Sequence, residues 1–127
     1  MRPPPTILLA EDDRFLRRAA EVTLRQRGFT VLLAADGQQA LDMAREHRPD
    51  LLLLDLLMPR KTGMEVLTAL RAEPETRHLR VLILSNSSKE LEMKSANSLG
   101  VAGYWIKANL SLRELGDRVT ELLENRS

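Results

Sequence analysis

Leu51-Leu52-Leu53-Leu54 runs straight into Asp55, and Leu56-Leu57-Met58-Pro59 follows, with Gly63 a few residues on. Pro49-Asp50 bounds the apolar run on one side and Pro59 on the other. A run this short, unbroken by polar alternation, suits a strand covered on both faces better than a helix. Strands of that kind belong to parallel sheets packed between helices, where ligands bind just beyond the carboxyl ends. Asp55 stands at such an end and is the leading candidate for a working residue.

Outward from this strand, strand-like and helix-like segments alternate. Residues 6–10 form an apolar run that stops at Glu11-Asp12-Asp13, and Leu16, Ala19, Ala20 and Thr23 then recur at helical spacing until Gly28. Residues 29–34 make a second strand, and Asp36 caps a helix through Ala40, Leu41 and Ala44 that ends before Arg48-Pro49. After the third strand, residues 50–55, comes a helix with Val66, Leu67 and Leu70 inward and Pro74 beyond its end. Residues 79–84 form the fourth strand. Residues 88–99 form a weakly patterned helix, with only Leu91, Met93, Ala96 and Leu99 apolar, and Gly100 stops it. Residues 101–106 are the fifth strand, and Ser111 caps a last helix with the face Leu112, Leu115, Val119, Leu122 and Leu123. Five such units predict an α/β fold: one domain, a doubly wound five-stranded parallel sheet with helices on both faces. Residues 1–5, rich in proline, are expected to be a flexible extension.

Composition narrows the function. At 127 residues the chain suits one domain, and 19 basic against 18 acidic residues give a net charge of +1, which points to neither nucleic acid nor an anionic membrane. There is no cysteine, so thiolate chemistry, disulfides and thiolate metal sites are excluded. No apolar stretch approaches the roughly 20 residues of a membrane span, and Met1-Arg2-Pro3-Pro4-Pro5 runs into prolines rather than a signal-like apolar region. A cytoplasmic location is expected.

The chemistry lies at the strand ends: Glu11-Asp12 after the first, Asp55 after the third, Ser85 after the fourth and Lys107 after the fifth. Converging on one sheet edge, they put three carboxylates, a hydroxyl and an ammonium in one cleft. Like charges about 4 Å apart cost roughly 4 kcal/mol per pair at an intermediate dielectric, so such a cluster raises its pKa values or recruits a cation. Oxygen ligands without His or Cys favour Mg²⁺.

Ile7-Leu8-Leu9-Ala10-Glu11-Asp12-Asp13, Asp55-Leu56-Leu57-Met58-Pro59 with Gly63, Leu82-Ile83-Leu84-Ser85 and Gly103-Tyr104-Trp105-Ile106-Lys107 together resemble the receiver domain of two-component response regulators, over essentially the whole chain. The specificity lies in the set and its order. The resemblance implies that Asp55 accepts a phosphoryl group from a phosphohistidine on a sensor histidine kinase or phosphotransfer protein. It implies Mg²⁺ held by Asp12, by Glu11 mostly through water, by Asp55 and by the backbone carbonyl of Leu57. Lys107 would neutralise phosphoryl oxygens, Ser85 would hydrogen-bond the attached phosphate, and Tyr104 would be the aromatic switch. The implied readout is a changed face of helix four, strand five and helix five, which would engage a downstream target and is a candidate homodimer surface.

Three positions depart from the commonest pattern of that family. Asn86 stands where a small residue is usual, Ala108 where proline is usual, and Leu57 is an apolar neighbour of the acceptor. Other classes fit less well. A nucleotide- or flavin-binding module would want a glycine-rich loop where Glu11-Asp12-Asp13 stands, and a haloacid-dehalogenase-like phosphatase would want an Asp at Leu57. The remaining alternative is a receiver-fold interaction scaffold that is not phosphorylated, but no acidic residue and no lysine of the set is missing. Asp13, His47 and His78 read as solvated residues, and Trp105 as a packing or partner-face residue. With the last helix ending near Glu124, the chain is expected to act by docking, alone or as a piece of a longer protein.

Overall fold

A computed structural model describes residues 3–86, 90–109 and 111–124. Its elements run β1 (Thr6–Ala10), α1 (Arg14–Gln26), β2 (Thr30–Ala34), α2 (Gly37–His47), β3 (Leu51–Asp55), α3 (Gly63–Ala72), β4 (Val81–Ser85), α4 (Glu90–Ser98), β5 (Gly103–Ile106), a 3₁₀ turn (Lys107–Asn109) and α5 (Leu112–Glu124). The strands pair in parallel in the order β2-β1-β3-β4-β5, so the fold is the predicted five-stranded parallel sheet with helices on both faces.

The period of two along each strand divides the core. Leu8, Ala10, Leu52, Leu54, Val81 and Ile83 face α2, α3 and α4, where Ala40, Leu41, Val66, Leu67, Leu70 and Ala96 meet them. Ile7, Leu9, Leu51, Leu53, Leu82 and Leu84 face α1 and α5, meeting Ala20, Leu24, Leu115, Val119 and Leu123. All four leucines of the central run are fully buried, which is why that run needs no polar alternation. Asp13 and Asp36 cap α1 and α2 by accepting the Leu16 and Gln39 N–H groups, and Thr62 with Glu65 forms a reciprocal capping box on α3.

Some strand starts differ from the sequence reading. Phe29 belongs to the turn closing α1, its N–H donating to Leu24 O, so β2 starts at Thr30. Leu79 donates to Thr76 O in a turn, and β4 starts at Val81, although Arg80 O already accepts the Leu52 N–H. Ala102 donates to Val81 O just ahead of β5, which starts at Gly103. Of the residues read as helix four, 88 and 89 lie outside the described set. Pro5 is tied to the sheet through the Thr30 N–H, 3.0 Å from Pro5 O. No described helix is long and apolar enough to cross a membrane.

Candidate functional site

The strand order decides which strand ends meet. With β3 central, β1 on one side and β4 on the other, Ala10 lies beside Leu54, Asp55 beside Leu84 and Ser85 beside Ile106. Beyond this edge the chain leaves β1 and β3 toward opposite faces, which opens a crevice between them.

Glu11 is fully buried, Asp55 is 3% exposed and Ser85 is fully buried. Oxygens of Glu11, Asp12 and Asp55 all lie within 4.8 Å of one another. Lys107 reaches across from the end of β5, its Nζ 2.5 Å from Glu11 Oε1 and 3.0 Å from Asp55 Oδ2. Glu11 Oε2 accepts the Asp13 N–H at 3.1 Å, and Asp55 Oδ1 accepts the Leu57 N–H at 3.2 Å. Asp12 is exposed at the mouth.

The electrostatics follow from this burial. Loss of solvent around Glu11 pushes its carboxyl up to about 7, and the Asp55 charge adds to the rise, while Lys107 and the Asp13 N–H only partly oppose it. Burial works to lower Lys107, but its bonds and charge interactions with Glu11 and Asp55 prevail and hold the ammonium above its ordinary range. Three carboxylates face one ammonium. The donor set fits a hard divalent cation: the clustered ligand atoms are carboxylate oxygens only, and one of the three carboxylates, Asp12, is open to solvent.

The structure thus brings together Glu11, Asp12, Asp55 and Lys107, and places Ser85 at the adjoining strand end. Leu57 has an exposed side chain, with only its backbone engaging Asp55. Tyr104 is half-buried against the α2–α4 side of the core, paired in register with Ile83, and Trp105 is half-buried on the opposite face. Asn86 and Ala108 are exposed, as are His47 and His78. Asp13, read as a solvated carboxylate, is exposed and also caps α1.

Two nearby residues escaped the sequence reading. Arg17 donates to Glu11 O at 2.8 Å and so braces the turn that carries the acids. Its signal was a basic residue one turn into the helix after an acidic pair. Phe15, 90% exposed in the first turn of α1, leads an apolar groove with Ala19, Val22 and Leu112, rimmed by Arg14 and Arg18. A phenylalanine directly after Asp13-Arg14, off the buried stripe of α1, was its signal.

A parallel sheet with an acidic crevice bridged by a lysine defines a class of phosphate-handling and signalling modules. The sequence profile of the response regulator receiver domain matches residues 7–120. The transcriptional regulatory protein CpxR of Escherichia coli K12 is 39% identical over 117 residues, covering 92% of this chain and 48% of that protein. The chain spans about half the length of the curated relatives it matches. The crystal structure of the Mn²⁺-bound form of response regulator Rcp1 superposes with a TM-score of 0.87 at 26% identity, covering 98% of each chain. The structure of the phosphorylated cyanobacterial phytochrome response regulator RcpA gives 0.82 at 30% identity, covering 95% of this chain and 92% of that one. The chain belongs to the response regulator receiver domain family, the signalling switch of two-component systems.

Proposed function

We propose that Asp55 is the phosphoacceptor and that the chain takes a phosphoryl group from a phosphohistidine of a histidine kinase or phosphotransfer protein. The observation that carries this reading is the Lys107 ammonium held between Glu11 and Asp55 at the mouth of the sheet. An Asp55 oxygen attacks phosphorus, the P–N bond to the donor imidazole breaks, and the imidazole leaves with the bonding pair and takes up a proton. Lys107 then exchanges part of its contact with Asp55 for the phosphoryl oxygens. The buried Ser85 hydroxyl donates to one of those oxygens.

Glu11, Asp12 and Asp55, with the Leu57 carbonyl, are the residues that would hold Mg²⁺. When bound, the ion supplies positive charge against the transferring phosphoryl oxygens. The Mn²⁺ in the Rcp1 structure and the phosphorylated state of RcpA support this reading by likeness. The exposed Phe15, in the first turn of the helix that follows Glu11-Asp12-Asp13, supports a macromolecular donor, since an exposed aromatic side chain is an anchor for a protein partner rather than for a small phosphate ester.

Phosphate on Asp55 replaces a carboxylate oxygen in contact with Lys107 by a larger dianion, and Ser85 links that change to β4. Tyr104, on the neighbouring β5, turns inward in response, so the α4–β5–α5 face is the surface read by a downstream target or by a second copy. We place this cycle in the cytoplasm, with residues 1–127 acting as one receiver unit.

The test is intact mass after incubation with Mg²⁺ and a small-molecule phosphodonor, for wild type, Asp55→Asn and an EDTA control. One phosphate gained by wild type and lost in both controls is the expected result. No gain, even from histidine-phosphorylated donors, would overturn the reading in favour of a docking scaffold.

A further inference from the structure

The loop that follows Asp55 contains a strained turn. Arg60 has φ 72°, and the Lys61 N–H donates to Pro59 O at 2.8 Å across it, which closes a three-residue γ-turn on a non-glycine residue. Such a residue at positive φ persists only when its surroundings hold it there. Those surroundings are the N-terminus of α2. The Gly37 N–H donates to the same Pro59 O at 3.3 Å, and Asp36 Oδ2 lies 3.6 Å from Arg60 Nε. A Cβ on Gly37 would stand 1.7 Å from Lys61 O and 2.5 Å from its carbon, a contact that only backbone movement can relieve. At the loop's other end, the Gly63 N–H donates to Leu56 O at 2.9 Å. The segment carrying Leu57 is therefore pinned from two sides.

We infer that Gly37, with Asp36, is a positioning latch: α2 presses the γ-turn of the β3–α3 loop into place and thereby sets the Leu57 backbone against Asp55. The latch acts through the loop and touches neither phosphate nor cation. This rests on the reading of Asp55 and its neighbours as a Mg²⁺-dependent phosphoacceptor site. In that site the Leu57 carbonyl contributes to cation binding, and the Leu57 N–H already fixes one Asp55 oxygen. A loop released from α2 leaves the three carboxylates in place and loses the fourth, main-chain contribution.

The experiment is calorimetric titration of Mg²⁺ into wild type, Gly37→Ala and Gly28→Ala, below the melting temperature of each. Gly28, at φ 93° with no atom near its added Cβ, supplies a loss of stability remote from the site. The expected result is at least fivefold weaker Mg²⁺ binding in Gly37→Ala and binding within twofold of wild type in Gly28→Ala. Equal binding in Gly37→Ala and wild type, or equal weakening in the two variants, would overturn the latch. Wild type that binds no Mg²⁺ would overturn the reading beneath it. Should Gly37→Ala not fold, Asp36→Asn keeps an acceptor for the Gln39 N–H and removes the charge facing Arg60. A two- to threefold weakening is then expected, and unchanged binding would overturn the latch.

Discussion

The two ends of the sheet use glycine for opposite reasons. At the end where helices run into strands, Gly28 and Gly100 sit at φ 93° and 73°, with nothing within 4 Å of an added Cβ. They supply a backbone conformation that closes a helix, and space is not at issue. At the end where strands run into helices, Gly37 and Gly63 have no such dihedral, yet a Cβ on either would drive into main-chain atoms. There the loops are packed against one another around the acidic crevice. The contrast separates what makes this chain fold from what aligns its site: the first end only has to turn, and the second has to hold its atoms still.

The largest expected effect comes from forcing the packed end. In Gly63→Ala the new Cβ lies 2.3 Å from Asp55 O and 2.7 Å from Leu56 Cα, main-chain atoms of the proposed phosphoacceptor and of the residue after it. Overpacking of this kind should cost about 3 kcal/mol in urea unfolding, with Mg²⁺ binding impaired as well. Gly28→Ala, by contrast, pays only for a left-handed backbone, roughly 1–2 kcal/mol, and leaves the site alone. Similar stability losses for the two variants, with similar Mg²⁺ affinities, would erase the distinction between the ends.

This contrast also marks how far the sequence could be read. The central run of Leu51 to Leu54 and the periodic faces of α1 and α5 announced the sheet and its layers, because burial on two faces leaves a direct imprint on composition. Glu11, Asp12, Asp55 and Lys107 were legible as strand-end residues, because a parallel sheet brings all its carboxyl ends to one edge. Strand starts were less legible: at Leu79 and Val101 the apolar pattern begins before the ladder does, since turns ahead of β4 and β5 also bury apolar side chains. The contact of Gly37 with Lys61 left no trace at all. It joins loops 24 residues apart in the numbering, and Asp36-Gly37 reads locally as nothing more than a helix start.

A second prediction tests the site end through its charge. The folded-state value of Glu11, about 7, lies above the ordinary 4.5, so between those values the folded protein keeps a proton that the unfolded chain has released. The metal-free protein therefore loses stability as pH rises through this window, and Glu11→Gln, which has no proton to lose, should be the more stable protein at pH near 8. Mg²⁺ needs the carboxylate, so its affinity for wild type should fall about tenfold per pH unit below about pH 7. Titrations at three pH values check this, and a flat affinity would show that Glu11 is ionised throughout and that its burial is offset in full by Lys107.

The smallest effect on the fold, and the sharpest on the chemistry, is expected from Leu57→Asn. The Leu57 side chain is 65% exposed and only its N–H engages Asp55, so replacing it should change stability by no more than about 0.5 kcal/mol. If Asp55 is the phosphoacceptor proposed above, the side chain two residues on has a bearing on the fate of the phosphate. An aspartyl phosphate decays when water attacks in line with the P–O bond, and an apolar group beside the acceptor offers that water nothing to orient it. An amide at the same place supplies a donor and an acceptor within reach of the approach path. Phosphorylated Leu57→Asn should therefore lose its phosphate faster than wild type, as followed by intact mass over time. Decay that is unchanged or slower would mean that the main chain of this loop, which the packed glycines hold in place, governs the phosphate lifetime and the exposed side chain does not.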